Sequence, residues 1–139
     1  LILFGGGIAI AQAFTGSGLS ASIGEVLSGI STLHALALMA VICLSVTFLT
    51  ETTSNTATTT LLMPILAAGA IGAGIDPQLF MIPAAISASC AFMLPVATAP
   101  NAVIYGSGRV TIKDMARAGL VLNLMGAVVI SIVSYLFFA

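Results

Sequence analysis

Ten of the eleven side chains from Thr50 to Thr60 are polar, in the middle of a chain that is otherwise close to hydrocarbon. Ala57 is the exception. Before the acidic residue of this patch, Glu51, run 25 residues without a formal charge (Val26 to Thr50), and 24 follow it (Thr52 to Ile75). Polar groups held at membrane depth are costly unless they line a cavity or bind something. The patch therefore constrains the fold more than any other feature, and it points to a solute or ion site.

The surrounding composition sets the medium. The 139 residues are 60% hydrophobic and 5% charged, whereas a water-soluble surface needs about a quarter charged residues. Seven charges cut the chain into long uncharged runs of 24, 25, 24, 32 and 22 residues. About 20 apolar residues cross a bilayer as a helix, so these runs read as roughly four to six membrane segments. The expected class is an all-α, multi-pass integral membrane protein. Residue 1 is Leu, with no basic region ahead of the first apolar run, so the chain reads as a truncated piece rather than one opening on a signal peptide. All three basic residues, Arg109, Lys113 and Arg117, lie within nine positions. The positive-inside tendency makes residues 109–117 cytoplasmic, in a cell (inner) membrane. Cys43 and Cys90, both in apolar stretches, read as small buried residues rather than a disulfide or metal pair.

Along the chain, residues 1–30 read as a leading helix followed by an interfacial segment. Residues 31–74 form two apolar arms around the polar patch. Either both arms span and the patch is an outside loop, or the arms form a re-entrant hairpin with its tip in mid-membrane. The patch lacks the lysines, glycines and prolines of an ordinary loop, which favours the hairpin, since irregular backbone at depth is tolerated beside a water-filled cavity. Residues 75–108 read as a broken transmembrane helix, interrupted by Pro95 and Pro100. A proline lacks an N–H and clashes with the preceding turn, which frees carbonyls that a cation could satisfy. Residues 109–139 are the basic loop and a plain last transmembrane helix. Asp76 before Pro77 reads as a turn and cap residue, and His34 as an interfacial residue. Glu51 has two readings: direct ligation of a cation, or hydrogen bonding to backbone N–H groups that fixes the hairpin.

A broken helix facing a polar hairpin tip is how many secondary transporters build a midplane site. A channel would need a pore open to both faces, and the apolar arms on either side of the tip argue against one. An enzyme is disfavoured because no nucleophile–base pair or metal-ligand spacing is present.

Ser54-Asn55-Thr56 with the arm Leu61 to Ile65, followed by Ala88-Ser89-Cys90-Ala91-Phe92-Met93-Leu94-Pro95-Val96-Ala97-Thr98-Ala99-Pro100-Asn101-Ala102, resembles the divalent anion:sodium symporter family of dicarboxylate and citrate carriers. Leu3-Phe4-Gly5-Gly6-Gly7 matches its pattern as well. The resemblance implies one half, the C-terminal repeat, of an inverted-repeat transporter whose N-terminal half lies elsewhere, assembled as a homodimer. It implies transport of a small carboxylate anion (the succinate, malate, fumarate or citrate class) coupled to Na⁺, or dicarboxylate exchange by the same fold. It places Ser54, Asn55 and Thr56 on a substrate carboxylate, with Thr98, Ala99 and Pro100 beside them. It places Na⁺ among Thr50, Thr53, Asn55, Ala97 and Ala99, the alanines acting through backbone carbonyls. The family commonly has Thr-Pro-Pro-Asn where this chain has Thr98-Ala99-Pro100-Asn101. The missing proline leaves an extra N–H and a smaller wall beside the substrate.

Overall fold

The computed structural model describes residues 35–138 without a gap, and before them Gly5, Gly6, Ala9, Gln12, Ala13, residues 16–19, Ala21, Ser22 and Glu25. The expected leading helix and interfacial segment are thus described only at isolated positions. His34 and most of the Leu3 to Gly7 match lie outside the described residues.

Every regular element among the described residues is helical: α1 (Ala35–Thr50), α2 (Asn55–Gly72), α3 (Gln78–Ser87), α4 (Ala99–Gly106) and α5 (Ile112–Phe138). Helices α1, α3 and α5 pack against one another, and α2 lies mainly on α3. The core is built on small residues. Ala84 and Ala88 are fully buried with Val46, and Ile42, Leu62, Met63 and Leu66 pack against them.

Helix α5, at 27 residues, is the one described helix long and apolar enough to cross a membrane, running about 40 Å at 1.5 Å per residue. Its buried face, Met115, Gly119, Asn123, Ala127, Ser131 and Ser134, recurs at helical spacing and consists mostly of small residues, which permit close helix contact. The opposite face exposes Val121, Met125, Val128 and Val129. The helix starts earlier than the charge pattern suggests. Thr111 Oγ1 donates to Asp114 Oδ2 at 2.5 Å, and the Asp114 N–H returns to Thr111 Oγ1 at 3.2 Å. This reciprocal cap draws Lys113 and Arg117 into the first turns of the helix and leaves Arg109 in the preceding turn.

In the long run from Gln78 to Gly108 the helix is interrupted, but not where the prolines alone would break it. Helix α3 ends at Ser87 and α4 begins at Ala99, leaving residues 88–98 without helix. The two halves, 10 and 8 residues long, reach only about 15 and 12 Å, too short to cross a ~30 Å hydrocarbon layer. Pro100 does not break a helix: it sits in the first turn of α4, where its missing N–H costs nothing. Unwinding opens at Ala88, well before Pro95, because side chains from other elements take over the backbone groups there. Between α2 and α3 the chain turns at Gly74 (φ +70°), and Asp76 Oδ1 accepts the Gln78 N–H at 2.9 Å, the capping role read for it.

Candidate functional site: a cleft between the polar tip and the unwound strand

The tip is the short link, residues 51–54, between α1 and α2. Thr50 is fully buried, and its hydroxyl lies 2.9 Å from the Ala88 carbonyl and 2.6 Å from Asn55 Oδ1. One turn back, Thr47 Oγ1 reaches the Ser87 carbonyl at 3.4 Å. Thr50 thus occupies the Ala88 carbonyl just past the C-terminus of α3, and Thr47 shares the Ser87 carbonyl with the Cys90 N–H.

Glu51 is 3% exposed. Its Oε1 accepts the Met93 N–H at 2.9 Å and the Asn123 side-chain N–H at 2.7 Å, and its Oε2 accepts the Leu94 N–H at 2.9 Å. Of its two readings, the backbone-binding one is what the geometry displays. Asn123 Oδ1 accepts the neighbouring Phe92 N–H at 3.3 Å. From the other side, buried Asn101 donates to the carbonyls of Ala91 (2.9 Å) and Leu94 (3.0 Å). The strand is thus stitched to α1, α4 and α5 by side chains that replace its lost helical hydrogen bonds.

Many of the remaining tip hydroxyls are used locally. Thr53 donates to the Leu49 carbonyl (2.9 Å), Thr59 to that of Asn55 (2.8 Å) and Thr60 to that of Thr56 (2.7 Å), the back-bonding habit of threonine in helices. Thr58 pairs with Thr53 at 2.5 Å. The density of the polar patch is therefore partly self-satisfied. Ser54, at the N-cap of α2, makes no side-chain cap bond.

Thr52, Thr53, Ser54 and Asn55 form one wall of an open cleft of about 400 Å³, and Val96, Ala97, Thr98 and Ala99 form the other. Two helices begin at this cleft, α2 at Asn55 and α4 at Ala99. Helix N-termini carry partial positive charge and free N–H groups, which suit a carboxylate. Among the described residues no hydrogen bond reaches the carbonyls of Val96 and Ala97, and such carbonyls suit a small cation. The cleft can therefore hold an anion and a cation side by side.

Of the residues expected to bind, the cleft brings together Thr53, Ser54, Asn55, Ala97, Thr98 and Ala99. Thr50 lies behind it, under Asn55, and reaches the cleft only through that side chain. Thr56 and Pro100 are exposed and do not line it. The residues the sequence reading passed over are Asn101, which ties down two carbonyls, and Asn123, which sits in what read as a plain span. Their legible signal is an amide side chain inside a long uncharged run.

The family model described as the sodium:sulfate symporter transmembrane region matches residues 1–139. The chain belongs to this family. It is an integral membrane protein of a transporter family, not of an enzyme family. Among curated members, the chain is 49% identical over 135 residues to the sodium-dependent dicarboxylate transporter SdcS of Staphylococcus saprophyticus, and equally to SdcS of Staphylococcus aureus USA300. Each match covers 97% of this chain and 26% of the relative, so the chain spans about a quarter of the length of these symporter-family relatives.

Proposed function

We propose that this chain supplies one half of the translocation site of a Na⁺-coupled carrier of di- or tricarboxylates. The observation that carries the reading is the cleft, where the N-termini of α2 and α4 meet beside unpartnered carbonyls. The names of the relatives, sodium-dependent dicarboxylate transporters, support the same pairing of ion and anion. In this reading residues 31–74 form a re-entrant hairpin, residues 75–108 a broken helix, and residues 109–117 lie on the cytoplasmic side of the cell membrane. The other half of the site comes from an inverted repeat beyond these 139 residues.

Na⁺ binds the Ala97 carbonyl and Asn55, with Thr53 beside them in the wall and Thr50 behind. The carboxylate binds Ser54 and Asn55 and the single free N–H of Ala99, with Thr56, Thr98 and Pro100 at the margin. The ion lowers the cost of bringing a dianion between the two helix ends. Midplane sites of this construction serve alternating access.

The deciding experiment is uptake of labelled succinate into proteoliposomes holding the full-length transporter that carries this sequence, with and without an inward Na⁺ gradient. Uptake that requires Na⁺ is expected. Uptake indifferent to Na⁺ but driven by internal dicarboxylate would replace symport by exchange and remove the cation from the cleft.

A further inference from the structure

Glu51 is the one buried carboxylate among the described residues, and it does not line the cleft. A buried carboxylate is costly unless its oxygens are well served by donors. Here three N–H groups from two elements converge on it, those of Met93, Leu94 and Asn123.

These donors hold a specific stretch. The successive N–H groups of Phe92, Met93 and Leu94 go to Asn123, Glu51 and Glu51 in turn. On the carbonyl side, Thr50 takes Ala88, and Asn101 takes Ala91 and Leu94. Beyond Leu94 no side chain of another element holds the backbone, and Val96 and Ala97, whose carbonyls accept no hydrogen bond among the described residues, line the cleft. Where they stand is decided by the last fixed point before them. Glu51 also adjoins Thr50, whose hydroxyl meets Asn55 on the opposite wall. One residue is therefore tied to both walls, and Asn123 anchors it to the long helix α5.

The geometry assigns Glu51 and Asn123 as positioning residues that set the separation between Asn55 and the Ala97 carbonyl, and with it which monovalent cation the cleft accepts. This rests on the reading of the cleft as a Na⁺ site. Neither residue touches the ion. They act through the unwound strand, as partners behind the ligands of a metal site do.

The test uses the full-length transporter in proteoliposomes and three variants: Glu51→Gln, Asn123→Ala and the double variant Glu51→Gln with Asn123→Asp. An amide at 51 turns a donor toward an N–H group that Glu51 now accepts. Alanine at 123 leaves the Phe92 N–H without its acceptor and Glu51 with one donor fewer. Half-saturating Na⁺ for uptake is expected to rise about tenfold or more in each single variant, with a changed ratio of Li⁺- to Na⁺-driven rates. The Na⁺-induced rise in melting temperature should weaken in parallel, a readout independent of transport. The double variant is expected to recover part of the loss, because a carboxylate at 123 accepts from Phe92 and from the amide at 51.

Single variants that keep the wild-type half-saturating Na⁺ and Li⁺/Na⁺ ratio, and lose only maximal rate, would overturn the assignment. If Glu51→Gln does not fold, Asn123→Ala decides alone. A wild-type protein without Na⁺-dependent uptake would instead remove the functional reading itself.

Discussion

Gly119 lies against the backbone of Phe92 so closely that a side chain at 119 would collide with the Phe92 carbonyl, with Met93 Cα only 2.6 Å from its Cβ. This approach brings α5 onto the unwound strand. One helical turn on, Asn123 then reaches both Phe92 and Glu51.

Gly119→Ala should destabilise the protein by about 1–3 kcal/mol, the range for forcing extra volume into a packed site. The obstacle is backbone, which cannot swing aside as a side chain could. Gly126→Ala is the control. Its Cβ would meet only the Cys90 side chain, Sγ at 3.8 Å and Cβ at 4.0 Å, ordinary contacts. Thermal melting of the full-length protein in detergent should separate the two. Equal melting temperatures would mean that the strand is free to move off α5.

Asn101→Leu keeps side-chain bulk but removes both N–H donors, leaving the Ala91 carbonyl without a partner and the Leu94 carbonyl with the Ala97 N–H alone. The orphaned Ala91 carbonyl costs about 1–3 kcal/mol. Asn101→Asp should be worse, because it turns an acceptor toward two carbonyls. The expected order of melting temperature is wild type, then Leu, then Asp. An aspartate variant as stable as wild type would show that the Asn101 bonds contribute nothing.

Much of this arrangement was legible in the residues. The membrane class followed from the charge-free runs, and the tip and the proline-bearing stretch, singled out in the residues, line one cleft. The start of the unwinding was not. Ala88 to Leu94 includes alanine, methionine and leucine, good helix formers, with no local breaker. They unwind because Thr50, Glu51, Asn101 and Asn123 offer their backbone groups other partners. Those partners come from up to 43 positions away, and no periodicity in the strand records them. The Thr111–Asp114 cap was local and could have been read, since a threonine followed three residues later by an acid marks a helix start.

Asn55→Ala should abolish Na⁺ and carboxylate binding together. The side chain meets Thr50 on its inner side and lines the cleft on its outer side, so both ligands of the proposed site depend on it. Na⁺-dependent thermal stabilisation and labelled succinate binding should both be lost while the unliganded melting temperature changes by less than about 1.5 kcal/mol equivalent, the net worth of one hydrogen bond. A variant that still transports would remove Asn55 from the site.

Replacing Na⁺ with choline should weaken carboxylate binding, and the size of the effect is constrained from both directions. In the proposed site the cation draws the Ala97 carbonyl toward Asn55, and the anion needs that same asparagine with the N-termini of α2 and α4 beside it. Each ligand thus orders a wall that the other uses. Coupling free energy belongs to the pair, so the factor by which saturating Na⁺ tightens succinate must equal the factor by which saturating succinate tightens Na⁺. Factors of about 5 to 150 are typical of such coupling. Equilibrium binding of labelled succinate across a Na⁺ series, set against Na⁺ titrations with and without succinate, measures both. A succinate affinity indifferent to Na⁺ would mean that the two ligands do not share the tip, and that the unpartnered carbonyls at Val96 and Ala97 serve another purpose.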